Sequence, residues 1–361
     1  MTAPLQPADL RYLGAFRLPG GGKVPGTFAL GGTRFALDGG EALITGADGF
    51  QHAARVRLPA PRVESDPAAL PVAEFAGPWF DPSGGFKTPA TRLGGLLYHG
   101  GRLVVSVHEY YDADGTATAT HGVWVDGRVN GLFTLAGLPA AALAGSMAPI
   151  PPEWQGALGG PTLSASVGMP IASRRSVNIA LAAFDPAALG SLSSRAAVLA
   201  FNPLGRGYGN LDADNPTPDP VWNLTSEPNG CAFLSRPDGR AAVLVTGQHG
   251  TGRTWYGLRS VELPDGPASD PCRVYKGNHS ESYAGYGWWF DPADLSAVRA
   301  RKRKPADVRP FHAGELPGLY PGCGDLGGCA ADPEAGRLYV VQRNVYRVGV
   351  NRLPVVHVYG V

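Results

Sequence analysis

The chain has 361 residues, enough to bury a sizeable core, and its 51 glycines and 34 prolines are too many for a helical protein. With 44% hydrophobic residues and no simple period, that composition points to a turn-rich β fold rather than to disorder. A net charge of +1 supplies no global field for nucleic acid or a membrane surface, and no apolar run approaches the length of a spanning helix.

The opening, Met-Thr-Ala-Pro-Leu-Gln-Pro, has neither the basic nor the apolar region of a signal peptide, so synthesis without one is expected. Residues 10–18 predict a strand with one apolar face. It precedes the first copy of a recurring unit: an opening apolar pair, a turn, then a run of β-formers. Copies stand at 31–46, 94–108, 230–247 and 328–342, with a degenerate one at 171–184. A third strand is expected after each unit, at 51–58, 120–125, 195–201, 283–290 and 355–358.

Between the copies lie connections. Residues 59–93 are proline-broken and contain Trp79-Phe80-Asp81-Pro82, a strand-to-turn stop that returns as Ala183-Phe184-Asp185-Pro186 and Trp289-Phe290-Asp291-Pro292. Residues 136–167 read as a long loop insertion holding one helical turn, placed to cover one mouth of the fold. Residues 202–222 read as a second loop, and 293–304 as the best helix, its basic end from Arg299 to Lys304 suiting a helix C-terminus. The last segment, 354–361, is a strand expected to pair with the 10–18 strand.

Four cysteines leave several arrangements open. Cys323 and Cys329 are spaced to close a small loop, and Cys231 and Cys272 to pair across a sheet. Unpaired buried or loop thiols are the simpler reading, and no spacing matches a zinc site.

The polar loops after each second strand carry the chemistry-bearing side chains. They hold Asp48, Gln51 and His52; His108, Glu109, Tyr110, Tyr111 and Asp112; Gln248, His249 and Arg253; and Gln342, Arg343 and Asn344. His121, Arg174, Arg175, His279, Tyr283 and Tyr286 join that set. Equivalent loops of a ring of antiparallel sheets converge on one face. Aromatic faces there would pack on sugar C–H surfaces, arginines would clamp a carboxylate, and His108, Tyr110 or His249 would move protons. Asp112 and Asp114 resemble the start of a calcium loop, as do Asp212 and Asp214, but neither has the downstream glutamate, so turn formation is the simpler role and no cofactor is expected. No nucleophile elbow, zincin motif or phosphate loop occurs.

These glycine-led units, closed by the terminal strands, resemble β-propellers of the carbohydrate-binding and carbohydrate-active type. The opening Tyr12-Leu-Gly-Ala-Phe-Arg-Leu-Pro19 is similar to starts of uncharacterised phage and bacterial propellers. The resemblance implies an all-β, single-domain propeller over 1–361, with about five blades and six or seven left open. The favoured function is a non-enzymatic recognition or structural propeller, cytoplasmic or virion-associated, on a bacteriophage tail or capsid. Its partners would be carbohydrate or other virion and surface proteins, with no nucleic acid and no membrane insertion. The alternative is a carbohydrate-active enzyme, a polysaccharide lyase or glycoside hydrolase, with Arg174 or Arg253 as the carboxylate clamp. A scaffold binding protein on its rim is a third reading.

Overall fold

A computed structural model of the chain describes residues 3–112, 115–167, 179–191, 194–202, 208 and 214–361. Nearly all of its regular structure is antiparallel sheet. The first strand, β1 (Arg11–Arg17), pairs with a strand near the other end of the chain and is taken up with it below.

The first sheet is a meander of β2 (Phe35–Asp38), β3 (Glu41–Thr45), β4 (Ala53–Arg57) and β5 (Glu74–Phe75). The second runs β6 (Thr91–His99), β7 (Arg102–Glu109) and β8 (Ala119–Val125), with the two-residue β9 (Arg128–Val129) and β10 (Phe133–Thr134) both on β8. After helix α1 (Ala140–Leu143), the third begins with β11 (Met147–Pro149). Helix α2 (Pro152–Leu158) leads to β12 (Thr162–Ala165), and β13 (Leu181–Phe184) and β14 (Ala197–Ala200) complete the sheet. The fourth holds β15 (Glu227–Ser235) and the long β16 (Ala241–Gly257). A hairpin of β17 (Ser260–Leu263) and β18 (Gly266–Ser269) precedes β19 (Gly277–Phe290), and helix α3 (Pro292–Arg299) precedes the outer β20 (His312–Glu315). The fifth contains β21 (Leu326–Asp332), β22 (Arg337–Val348) and β23 (Asn351–Gly360), with β1 as its outer strand. Pairing from Arg11 opposite Gly360 to Arg17 opposite Val355 covers the edge that β23 would otherwise expose.

One inner strand of each sheet, the second in four of them and the third, β13, in the third sheet, sends successive side chains to opposite faces, and the two faces feed different cores. In β3, Ala42 and Ile44 pack with Phe16, Val356 and Val358 of the fifth sheet, while Leu43 packs with Leu96 and Val105 of the second. In β7, Val105 joins that core and Val104 turns to Met147, Ala182 and Phe184 of the third. Leu181 and Ala183 of β13 face Phe233, Val243 and Val245 of the fourth sheet. Leu244 of β16 meets Leu338 and Val340 of the fifth, whose Tyr339 and Val341 return to the core of the first. The first strands touch in the same cycle: β2 on β6, β6 on β11, β11 on β15, β15 on β21, and β21 on β2.

That contact between first strands explains the glycines that open the units. A Cβ added at Gly94 would lie 1.4 Å from the carbonyl oxygen of Ala144, and one at Gly327 would lie 2.0 Å from that of Gly32. Only a residue without a side chain lets a strand come this close to the segment that leads into its neighbour.

Several expectations are corrected. The 136–167 stretch is not a loop insertion: it holds α1, α2 and the first two strands of the third sheet. A helix rather than a glycine turn joins β11 to β12, so the turn signal is missing there. The 195–201 strand is the outer, fourth strand of that sheet, and residues 171–178 of the degenerate copy lie outside the described residues. Neither expected cysteine pairing is made: Cys272 bonds Cys323, tying the segment before β19 to the one before β21. Cys231 and Cys329 are buried free thiols inside β15 and β21, where burial pushes Cys329 up to about 12 and raises Cys231 further. Helix α3 forms in the expected stretch but ends at Arg299, so Arg301 to Lys304 lie beyond it. The Asp291 side chain caps it by accepting from Ala293 N at 2.8 Å.

Candidate functional site at the mouth of the sheets

The starts of the first strands and the ends of the second strands lie at the same end of the five sheets, and Arg34 sits where they meet. Its Nε donates to the Leu93 carbonyl at 3.0 Å, at the start of β6. Its Nη1 donates to the Thr33 carbonyl at 3.0 Å and to the carbonyl and side-chain oxygens of Asn229, both at 3.3 Å, at the start of β15. One guanidinium thus bridges three sheets, and Asn229 passes the contact to a fourth by donating Nδ2 to the Leu326 carbonyl at 3.0 Å. Asn229 can do so because the β15–β16 register slips there, a bulge that re-aims its side chain. Among the described residues Arg34, only 5% exposed, makes no ion pair, and its Nη2 has no hydrogen-bond partner. Burial lowers the guanidinium to about 10, with Asp48 opposing and Arg343 adding to the drop, so it stays charged at neutral pH.

Two paired clusters flank it. Arg343 holds Asp48 through Nη2 and Asp325 through Nη1 at 3.2 Å, and donates Nε to the Gly31 carbonyl at 3.2 Å. Thr33 hydrogen-bonds the other oxygen of Asp48, and Asn344 donates to Asp325 at 2.8 Å. Burial works against the Arg343 charge, but Asp325 and Asp48 raise its pKa above the ordinary arginine value. On the other side, Arg273 pairs with Glu227 at 3.0 Å and donates to Gln248 Oε1 at 2.6 Å. Gln248 in turn donates Nε2 to the Cys323 carbonyl at 2.6 Å, beside the disulfide.

His108 is the last but one residue of β7 and is 6% exposed. It lies opposite Arg92 in the β6–β7 register, one residue from the Leu93 that Arg34 holds. Its Nδ1 is sealed from water, and neither ring nitrogen has a hydrogen bond among the described residues. Burial first, then Arg34 and Arg92, pull its pKa down to about 3, so the ring is neutral at pH 7. Arg92 lies over the Tyr110 ring at 5.4 Å and makes no ion pair among the described residues. Tyr110 and Tyr275 are 51% and 52% exposed, and Phe50 and Tyr111 are exposed too, so the Tyr110 ring carries the Arg92 guanidinium at the surface.

Other expected site residues lie elsewhere or are locked. His249 is buried, with Nδ1 on Ser226 Oγ at 2.9 Å, Nε2 near Asn223 Nδ2 at 3.4 Å and its ring stacked on Tyr286, because it points to the opposite side of β16 from Gln248. Burial takes its pKa to about 4. His121 is buried against Phe184 in the core between the second and third sheets. His279 and Tyr283 both bond Asp270 Oδ2, at 2.8 and 2.6 Å, in a buried network under Trp255. Arg253 pairs with Asp265 at 2.6 Å beside the β17–β18 hairpin. Glu109 is exposed, and His52 is half-buried with its Nδ1 sealed and unpartnered among the described residues. Arg174 and Arg175 lie outside the described residues, as does Asp114.

Asp112 accepts from Thr116 N at 2.7 Å and from Ala117 N at 3.4 Å, the turn role. Among the described residues no three His, Cys, Asp or Glu side chains are grouped to hold a metal. No helix among them is long and apolar enough to cross a membrane. Two surface depressions, one lined by Gly159, Ala197 and Arg299 and one of about 460 Å³ lined by Tyr283, Glu315 and Tyr320, contain neither Arg34 nor His108. Sequence reasoning missed Arg34, Arg92, Glu227, Asn229 and Arg273. The signal available for Arg34 was a charged residue directly ahead of an apolar strand in a glycine-led unit, Gly31-Gly32-Thr33-Arg34-Phe35.

No protein-family model matches the chain, and no curated protein matches it. Among solved structures it resembles a Thermus thermophilus protein described as a putative oxidoreductase (glucose dehydrogenase). The identity is 14%, over 94% of this chain and 98% of that one, with a TM-score of 0.36. It also resembles the β-propeller domain of Cps50 (Swd1) from Myceliophthora thermophila, at 7% identity over 90% of this chain and 68% of that one, with a TM-score of 0.29. At these scores neither likeness carries an argument, and function has to be read from the geometry.

Proposed function

We propose that the five sheets are the blades of a closed five-bladed β-propeller, and that the protein is a non-enzymatic recognition protein whose mouth binds an acidic carbohydrate. The cyclic succession of five inter-sheet cores, returning from the fifth sheet to the first, supports the ring. The observation that carries the binding role is the mouth itself: Arg34 and Arg92, two guanidiniums without a carboxylate partner among the described residues, with the half-exposed Tyr110 ring against Arg92 and the exposed Tyr111 next to it in the chain. Aromatic faces suit sugar rings and unpaired guanidiniums suit carboxylates.

Of the acid–base candidates among the described residues, His108 and Tyr110 stand at the mouth and the others do not. His249 is engaged on the far side of β16, and the Asp270–His279 pair is fully buried. The Cys272–Cys323 bond suits an oxidising environment, as for a protein that works outside the reducing cytosol. The test is retention on immobilised acidic against neutral polysaccharides. Preferential retention on the acidic ones is expected, and equal passage through both overturns the reading.

A further inference from the structure

Arg34 and His108 share an unusual condition. A buried charge normally has a counter-ion, because an unpaired one is costly to desolvate. Among the described residues Arg34 has only carbonyl and amide oxygens as acceptors, and Asp48, the acidic group that acts on it, is engaged by Arg343 and Thr33. A buried imidazole normally has at least one partner. His108 has none among the described residues and faces the positive charges of Arg34 and Arg92. Two donors are therefore left without acceptors among the described residues: the Nη2 group of Arg34 and one ring N–H of His108. Arg92, without an ion pair among the described residues, lies opposite His108 in the strand register and against the Tyr110 ring.

We propose that Arg34 and His108 form the anchor for a carboxylate of the bound ligand, as in a uronic acid residue, at the floor of the mouth. One carboxylate oxygen accepts from Arg34 Nη2 and the other from the neutral imidazole, while Arg92 supplies charge from the side. A carboxylate provides the missing acceptors and the missing counter-charge together, which a neutral sugar hydroxyl does not. This inference rests on the recognition reading of the mouth and deepens it to a ligand class. The linked consequence is that an anion seated there raises the pKa of His108, because it adds the opposite charge the ring now lacks.

The experiment uses the whole protein with 15N-labelled histidine, of which the chain has eight. Ring nitrogen signals are followed while D-glucuronate is added, with D-glucose, inorganic phosphate and chloride as separate arms. The expected result is a saturable shift of one histidine with glucuronate, absent with glucose and missing from His108→Asn. Affinity should fall at least about tenfold in His108→Asn and below detection in Arg34→Gln. Because Arg34 bridges three sheets, its variant is checked for folding first, and His108→Asn carries the test if it unfolds. No saturable shift with glucuronate overturns the anchor. Equal shifts with phosphate or chloride overturn the carboxylate assignment. Failure here with retention on acidic polysaccharide intact removes the anchor alone, whereas loss of retention removes the recognition reading.

Discussion

Acidification should unfold this protein well above the pH at which its carboxylates protonate. Four histidines are buried and neutral: His108, His121 and His357 with pKa values of about 3, and His249 of about 4, desolvation leading in each case. Their unfolded value is 6.5. Below that value the unfolded chain takes up protons that the folded chain refuses, so stability is complete above about pH 7 and is lost as pH falls toward the folded values. Between about pH 7 and about pH 5 each histidine loses about 1.9 kcal/mol, or about 7 kcal/mol for the four, comparable to the whole stability of an ordinary domain. Asp9 and Asp270 have lowered pKa values and act only below the ordinary carboxylate range, outside this window. Urea unfolding followed by tryptophan fluorescence at several pH values gives the slope. Near pH 5 it should correspond to about four protons taken up on unfolding, about 5 kcal/mol per pH unit. His357→Gln should reduce that by about one proton. A slope of one proton or less in the wild type would mean the histidines are not buried as described, and would refute the reasoning.

Gly94→Val should prevent folding or cost at least about 3 kcal/mol in chemical denaturation, since the added carbons meet the Ala144 backbone. A mild effect would mean that β6 and β11 do not approach as described. Replacing both Cys272 and Cys323 by serine opens a link between residues 51 apart and should lower stability by about 4 kcal/mol on chain-entropy grounds, and thermal melting with and without reductant measures it. Asp291→Ala removes the side-chain cap of α3 and should cost about 1 kcal/mol while leaving ligand binding unchanged.

The glycine-led units were legible because packing first strands against one another needs residues without side chains, and such residues leave a visible signature ahead of apolar runs. The pairing of the 10–18 strand with the C-terminal strand was legible for a similar reason, since two apolar strands at the termini need partners. The first half of the third sheet was not legible: β11 is three residues long and reaches β12 through a helix, so no short-range turn signal marks it, whereas β13 and β14 fall inside the expected 171–184 and 195–201 stretches. In the candidate site, attention to loops after second strands found Asp48, His108, Gln248 and Arg343. It passed over the starts of the first strands, where Arg34, Glu227 and Asn229 stand. Histidine as a residue type was a poor guide, because His121, His249 and His357 are core residues held by local hydrogen bonds. The apolar neighbours of His357 in Val355-Val356-His357-Val358-Tyr359 carried that information in the sequence.

Calorimetric titration of an acidic oligosaccharide into the wild type and into a Tyr110→Ala, Tyr275→Ala double variant tests the central claim most directly, with reducing ends assayed in the same samples. Both tyrosines are about half exposed, so the fold should tolerate their loss. The account predicts saturable binding to the wild type, binding at least about tenfold weaker in the variant, and no new reducing ends in either. New reducing ends, or no binding by the wild type to any acidic oligosaccharide, would contradict it.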